Sequence, residues 1–77
     1  MPNSRLRWQC RRGMRELDEL LVSYLNKHYT QSTNDEKKAF QELLQLNDPE
    51  LIKLLLTPYE SEFESINLII QKILITR

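Results

Sequence analysis

The sequence predicts an all-α fold, a compact bundle of five short helices forming one domain over residues 1–77. Three observations carry that prediction. One glycine and three prolines are too few for the turns of a strand-rich protein. Apolar residues recur at three- and four-residue spacing along most of the chain. Helix-start signatures stand ahead of those stretches, with Thr33 three residues before Glu36, Asp48 before Pro49, and Ser61 three residues before Glu64.

The first helix is expected over Ser4–Arg12. Ser4 can cap it, Leu6 and Cys10 share a face, and Gly13 can end it in the left-handed conformation. A second helix is expected from Met14 to about Tyr29. Met14, Leu17, Leu21, Tyr24, Leu25 and His28 make its buried stripe, broadened by Leu20 and Val22. Gly13 thus marks the corner between the two. Glu16 would be the third residue of the second helix, where a carboxylate complements the helix dipole.

After the polar joint "TQSTND", Thr33 and Glu36 form a capping box for a third helix with Ala39, Phe40, Leu43 and Leu44 inward. In "NDPEL", Asp48 is expected to cap the fourth helix, with Pro49 at its first position and Glu50 favouring the dipole. Leu51, Ile52, Leu54, Leu55 and Leu56 make this helix apolar on most sides, so it is expected near the centre. Thr57-Pro58 stops it. Ser61 and Glu64 are expected to box the last helix, which carries Phe63, Ile66, Ile69, Ile70, Ile73 and Leu74. Its isoleucines favour strand locally, but the helical spacing outweighs that propensity.

Composition narrows the function. A chain of this length builds a thin core, which leaves no room for a deep substrate cavity and places function on the surface. No apolar run, Leu54–Leu56 included, exceeds three residues, far short of a membrane span, and no apolar leader region is seen. Cys10 is the only cysteine, so a reducing compartment is expected. One histidine and one cysteine give no zinc ligand set, and one glycine gives no phosphate-cradling loop. A Cys10–His28 nucleophile pair is conceivable, but buried cysteine usually behaves as a small hydrophobe. Glu60, Glu62 and Glu64 read as a solvated face.

The net charge is zero, yet it is split. Residues 1–15 carry Arg5, Arg7, Arg11, Arg12 and Arg15 with no acid, while residues 16–77 carry six basic residues against eleven acids. Arginine's planar fork suits carboxylate and phosphate, and lysine is the usual solubilising cation. Three readings of the basic start follow: phosphate neutralisation on nucleic acid, an amphipathic presequence, or docking on a protein partner. The acidic remainder opposes the first. The second leaves no room for cleavage, because Trp8, Cys10 and Gly13 run directly into the helical domain. At the corner itself, Gly13 can turn the chain and clear space for another backbone. Glu16 beside Arg11, Arg12 and Arg15 adds directional contacts.

"RWQCRRGMRELD", followed by "DEKKAFQELLQLNDPEL" and a terminal "IQKILITR", resembles the succinate dehydrogenase flavinylation factors, small bacterial and mitochondrial assembly proteins. The resemblance runs from Arg5 to Arg77. Its most specific part is Arg-Gly-x-x-Glu, matched by Arg12, Gly13 and Glu16, with Trp8, Cys10 and Asp18 in order around it. It implies a five-helix chaperone-like factor, not an enzyme. Such a factor binds the flavoprotein subunit of succinate dehydrogenase, and often of fumarate reductase, and promotes covalent attachment of FAD to a histidine of that subunit. FAD would then belong to the client, with no cofactor held stably by this chain. The expected contact residues are Arg12, Gly13 and Glu16 with Arg7, Trp8, Arg11, Met14, Arg15 and Asp18. The expected state is a monomer without nucleic-acid or membrane partners, in the bacterial cytoplasm or, for a eukaryotic source, the mitochondrial matrix. The alternatives are a small helical nucleic-acid-binding or regulatory module, and an interaction protein with another client.

Overall fold

The structure is a computed structural model describing residues 4–76. Its elements are α1 (Ser4–Cys10), α2 (Arg15–Lys27), a 3-10 turn (Tyr29–Gln31), α3 (Asn34–Leu44), α4 (Asp48–Leu56) and α5 (Glu64–Thr76). No strand occurs among the described residues, so the all-α class and the five helices hold. Arg77, the end of the terminal motif, lies outside the described residues.

The core forms where the helical stripes meet. Leu17, Leu21, Tyr24 and Leu25 of α2 face Ile66, Ile69, Ile70 and Ile73 of α5, and Phe40 and Leu43 of α3 complete the interior. Tyr24, Tyr29 and Phe40 meet as tilted rings, with centroids 5.0 Å and 5.5 Å from Phe40. Such tilted pairs add about 0.5–1.5 kcal/mol each to the burial of the rings. The most extensive packing is α2 against α5 and α3 against α5. The apolar α4 was expected at the centre, yet it packs more lightly against α2 and α5. Its nine residues bury Leu51, Leu54 and Leu55, while Ile52 and Leu56 stay half-exposed. Among the described residues no helix is long and apolar enough to cross a membrane.

Several helix ends differ from the sequence expectation. Ser4 is itself helical and so does not cap α1, and α1 stops at Cys10 rather than Arg12. Helix α2 ends at Lys27, and the chain tightens into the 3-10 turn. That change of pitch carries His28 off the stripe into solvent and turns Tyr29 into the core. Ser32 secures the turn, since its hydroxyl donates to the His28 carbonyl at 2.8 Å and lies 2.6 Å from the Tyr24 hydroxyl. For α4 the cap is Asn47, whose side chain accepts from the Glu50 N–H at 3.0 Å. Asp48 therefore becomes the first helical residue, with Pro49 second.

At α5 the expected Ser61–Glu64 box is absent. Asn67 closes that end instead, accepting from the Ser61 N–H at 2.7 Å and donating to the Ser61 carbonyl at 2.9 Å. The helix consequently starts at Glu64, and Phe63, expected inward, is 67% exposed.

The Thr33–Glu36 capping box forms as expected, with the Glu36 N–H donating to the Thr33 hydroxyl at 3.1 Å and the Thr33 N–H donating to Glu36 at 2.9 Å. The second Glu36 carboxylate oxygen pairs with Lys72 of α5. The Lys72 contact, then the Thr33 backbone bond, hold the Glu36 carboxyl below its usual range. A depressed carboxylate stabilises the fold above its unfolded pKa, and that contribution is lost as pH falls through the folded value. Glu36→Gln should therefore lower the melting temperature at pH 7 and have a smaller effect at pH 3. Thermal melts of both proteins at the two pH values check this, and equal losses would remove the carboxylate's charge from the account.

Candidate functional site at the arginine–glycine corner

Cys10 ends α1 fully buried, and α2 begins at Arg15, so four residues must reverse the chain. Gly13 does so with φ of +79°. A Cβ built there meets nothing within 4 Å, so the position is open to the outside. The left-handed conformation, and not internal crowding, is what requires glycine. Met14 follows in extended conformation as the N-cap of α2, with no side-chain cap bond.

A helix side chain braces the corner from the other direction. The Asp18 carboxylate accepts from the Arg12 N–H at 2.6 Å, tying the first turn of α2 back onto the corner. This charge-assisted bond is of the stronger class.

Arg12 itself turns inward. Its side chain is 16% exposed. Nε donates to the Gln9 carbonyl at 2.9 Å, Nη1 to the Leu46 carbonyl at 3.1 Å, and Nη2 to the Leu44 carbonyl. Nη1 also lies 3.6 Å from the Asp48 carboxylate. The last carbonyls of a helix lack intrahelical donors, and a guanidinium fork supplies them. One side chain thus joins the end of α1, the end of α3 and the start of α4.

The nine residues expected at the site divide by orientation. Trp8 is 77% exposed, and Arg11, Gly13, Arg15 and Glu16 are also exposed. Arg15 reaches Glu19 one turn on at 3.3 Å, an exposed pair of small energetic weight. Arg7 donates to the Asn26 side chain at 2.8 Å, fastening α1 along α2. Met14 is half-buried against the core. Glu16 is the second helical residue of α2, not the third, and still lies in the first turn. Asp18 and Arg12 brace the corner from inside. The partners of Arg12 in the distant α3–α4 joint, together with Asn26, were not anticipated from the sequence. A shallow depression of about 450 Å3 flanks the corner, bounded by Arg11, Asp18, Val22 and Asn26.

Cys10 sits beneath this corner. Burial pushes its thiol up to about 11, against the opposing pull of Arg12 and Arg7. His28 lies at the other end of α2 and is not among its electrostatic neighbours. A thiol with so high a pKa presents little thiolate. Alkylation at pH 8 should therefore run about 100-fold slower than in the denatured chain, before counting steric exclusion. Timed iodoacetamide labelling with mass readout measures this, and a native rate near the denatured one would contradict a buried thiol.

Among the described residues no group of three metal-ligating side chains comes together.

The corner's residues fall within a recognised family pattern. The family model described as "Flavinator of succinate dehydrogenase" matches residues 4–76. A protein named FAD assembly factor SdhE from Coxiella burnetii is 42% identical over 69 residues, covering 86% of this chain and 84% of the relative. A protein of the same name from Yersinia pseudotuberculosis is 38% identical over 71 residues, covering 88% and 81%. Another from Haemophilus ducreyi is 32% identical over 69 residues, covering 90% and 84%. No solved structure gave a significant match. These relatives are named as assembly factors and not as catalysts. With the family model spanning almost its whole length, the chain belongs to the flavinator of succinate dehydrogenase family.

Proposed function

We propose that this chain binds the flavoprotein subunit of succinate dehydrogenase, and the corresponding subunit of fumarate reductase, and promotes covalent attachment of FAD to that subunit. The observation that carries the reading is the corner. An open, positive-φ Gly13 has the exposed Trp8, Arg11, Arg15 and Glu16 near it in the chain, and Arg12 and Asp18 lock the corner from inside. Family membership and the names of the relatives support it.

The mechanism follows from that geometry. The client brings FAD and the accepting histidine, so the chemistry belongs to the client. A rigid partner accelerates such a step by holding the reacting groups in attack geometry. Glycine allows the client backbone to approach closely, and Trp8 offers a large apolar anchor. Glu16 and the exposed arginines offer charged groups for register. The factor acts as a monomer in the compartment where the client folds, the bacterial cytoplasm, and retains no cofactor.

Phosphate binding is less well served. Arg7 is engaged with Asn26, and Arg12 with main-chain carbonyls and Asp48. The cationic surface is smaller than five arginines in fifteen residues suggest.

The test uses purified apo-flavoprotein subunit, FAD and this chain, with in-gel flavin fluorescence after denaturation. The chain should raise the yield of covalent flavin, and an equal yield without it would refute the function. Glu16→Ala should change stability by no more than about 0.3–1 kcal/mol, the worth of an exposed first-turn carboxylate. It should nevertheless lose most of the stimulation. Full activity of Glu16→Ala would reduce Glu16 to a helix-start residue and move the contact elsewhere on the corner.

A further inference from the structure

The α3–α4 joint has a second face. Leu46, whose carbonyl accepts from Arg12, also borders a groove of about 300 Å3 between α4 and the loop entering α5. Its floor is apolar, with Leu54 and Ile66 buried and Leu46 half-buried. Two aromatic side chains stand beside it in solvent, Tyr59 at 47% and Phe63 at 67% exposure. Phe63 is there because α5 starts after it, leaving the ring without a place in the core.

The rim is acidic. Glu42, Glu50 and Glu62 border the groove, all exposed, and none forms an ion pair among the described residues. Three carboxylates outside the groove are matched, Glu36 to Lys72, Glu19 to Arg15 and Asp48 to Arg12. Gathering like charges round an apolar surface raises the free energy of the empty groove, and an oppositely charged occupant relieves it. Among the aromatic walls Phe63 is the one open to an occupant, since the Lys53 ammonium of the chain itself lies 5.1 Å from the centre of the Tyr59 ring.

We infer that this groove docks a cationic amphipathic segment of a protein partner. One bulky apolar side chain enters between Leu54, Ile66 and Phe63, and flanking lysines or arginines meet Glu42, Glu50 and Glu62. The volume holds one or two large side chains. The inference concerns a surface apart from the corner and stands whether or not the flavinylation reading does.

The probe is a fluorescein-labelled dodecapeptide with one tryptophan flanked by four lysines. Its binding to the full chain is followed by anisotropy, and the site is mapped by amide chemical-shift changes. The expected result is saturable binding with shifts at Leu46, Leu54, Phe63 and Ile66. Glu50→Lys with Glu62→Lys should weaken binding by about tenfold or more, and Phe63→Ser by several-fold, with circular dichroism showing each variant folded. Glu19→Lys with Asp35→Lys makes the same change in net charge elsewhere and should leave affinity within about twofold. Several results would overturn the inference: equal binding by the peptide with tryptophan replaced by serine or lysines by glutamate, indifference to the groove variants, or shifts confined to the corner. Sedimentation showing a second copy seated in the groove through its own Trp8 and Arg11 would also overturn it.

Discussion

Arg12→Ala should lower the melting temperature by on the order of 10–20 °C and abolish stimulation of client flavinylation. The size follows from what the side chain holds. Hydrogen bonds to a charged group contribute about 1.5–3 kcal/mol each, less where solvent screens them. The guanidinium serves the Gln9, Leu44 and Leu46 carbonyls and faces Asp48. Its removal leaves helix-end carbonyls half-buried without donors, a net loss of about 2–3 kcal/mol. A domain of this size loses about 4–8 °C per kcal/mol. Arg12→Lys should fall between, because a single ammonium cannot span the carbonyls that the fork spans. Melts set beside flavinylation yields check this. A shift of only a few degrees with full loss of activity would mean that Arg12 meets the client directly and does not brace the corner.

That role could not be seen in the sequence, although the residue could. An arginine next to the sole glycine marks a corner, and Gly13 with positive φ is what the sequence led one to expect. The direction of the Arg12 side chain depends on where α3 ends and α4 begins, more than thirty residues away. In "LNDPEL" the local signal points to Asp48 as the cap, one position late. Asn47 caps, which frees the Asp48 carboxylate to face Arg12. A one-residue error at a helix start thus concealed a tertiary contact.

The helices were legible because their apolar spacing is strong and local. The capping box at Thr33 is equally local, and it formed. The misplacements lie where a nonlocal group overrode the local signal. Asn67 reaches back to Ser61 and sets the start of α5, expelling Phe63. The 3-10 turn moves His28 out and Tyr29 in. Apolar content alone placed α4 at the centre, but a nine-residue helix offers less contact length than the thirteen-residue α2 and α5.

Gly13→Arg should abolish flavinylation while leaving the helices formed, and comparison with Gly13→Ala should show why. A non-glycine residue in the left-handed region costs about 1–2 kcal/mol, and that cost is nearly the same for alanine and arginine. A Cβ at this position meets nothing within 4 Å, so neither side chain collides with the chain itself. Both variants should therefore melt at similar temperatures, a few degrees to ~15 °C below the parent. Their effects on a client should diverge. Alanine adds one methyl group to a surface that must let another backbone come close, whereas arginine adds a long cation beside Arg11 and Arg15. Gly13→Ala should keep a measurable part of the stimulation, and Gly13→Arg none. Gly13→Asn extends the series, because asparagine tolerates the left-handed conformation better and separates strain from bulk. Flavin fluorescence of the client is measured at a temperature where all three variants are folded. Losses that track the melting temperatures alone would show that Gly13 only turns the chain. Losses that track side-chain size at equal stability would show that a partner occupies the open space over the corner.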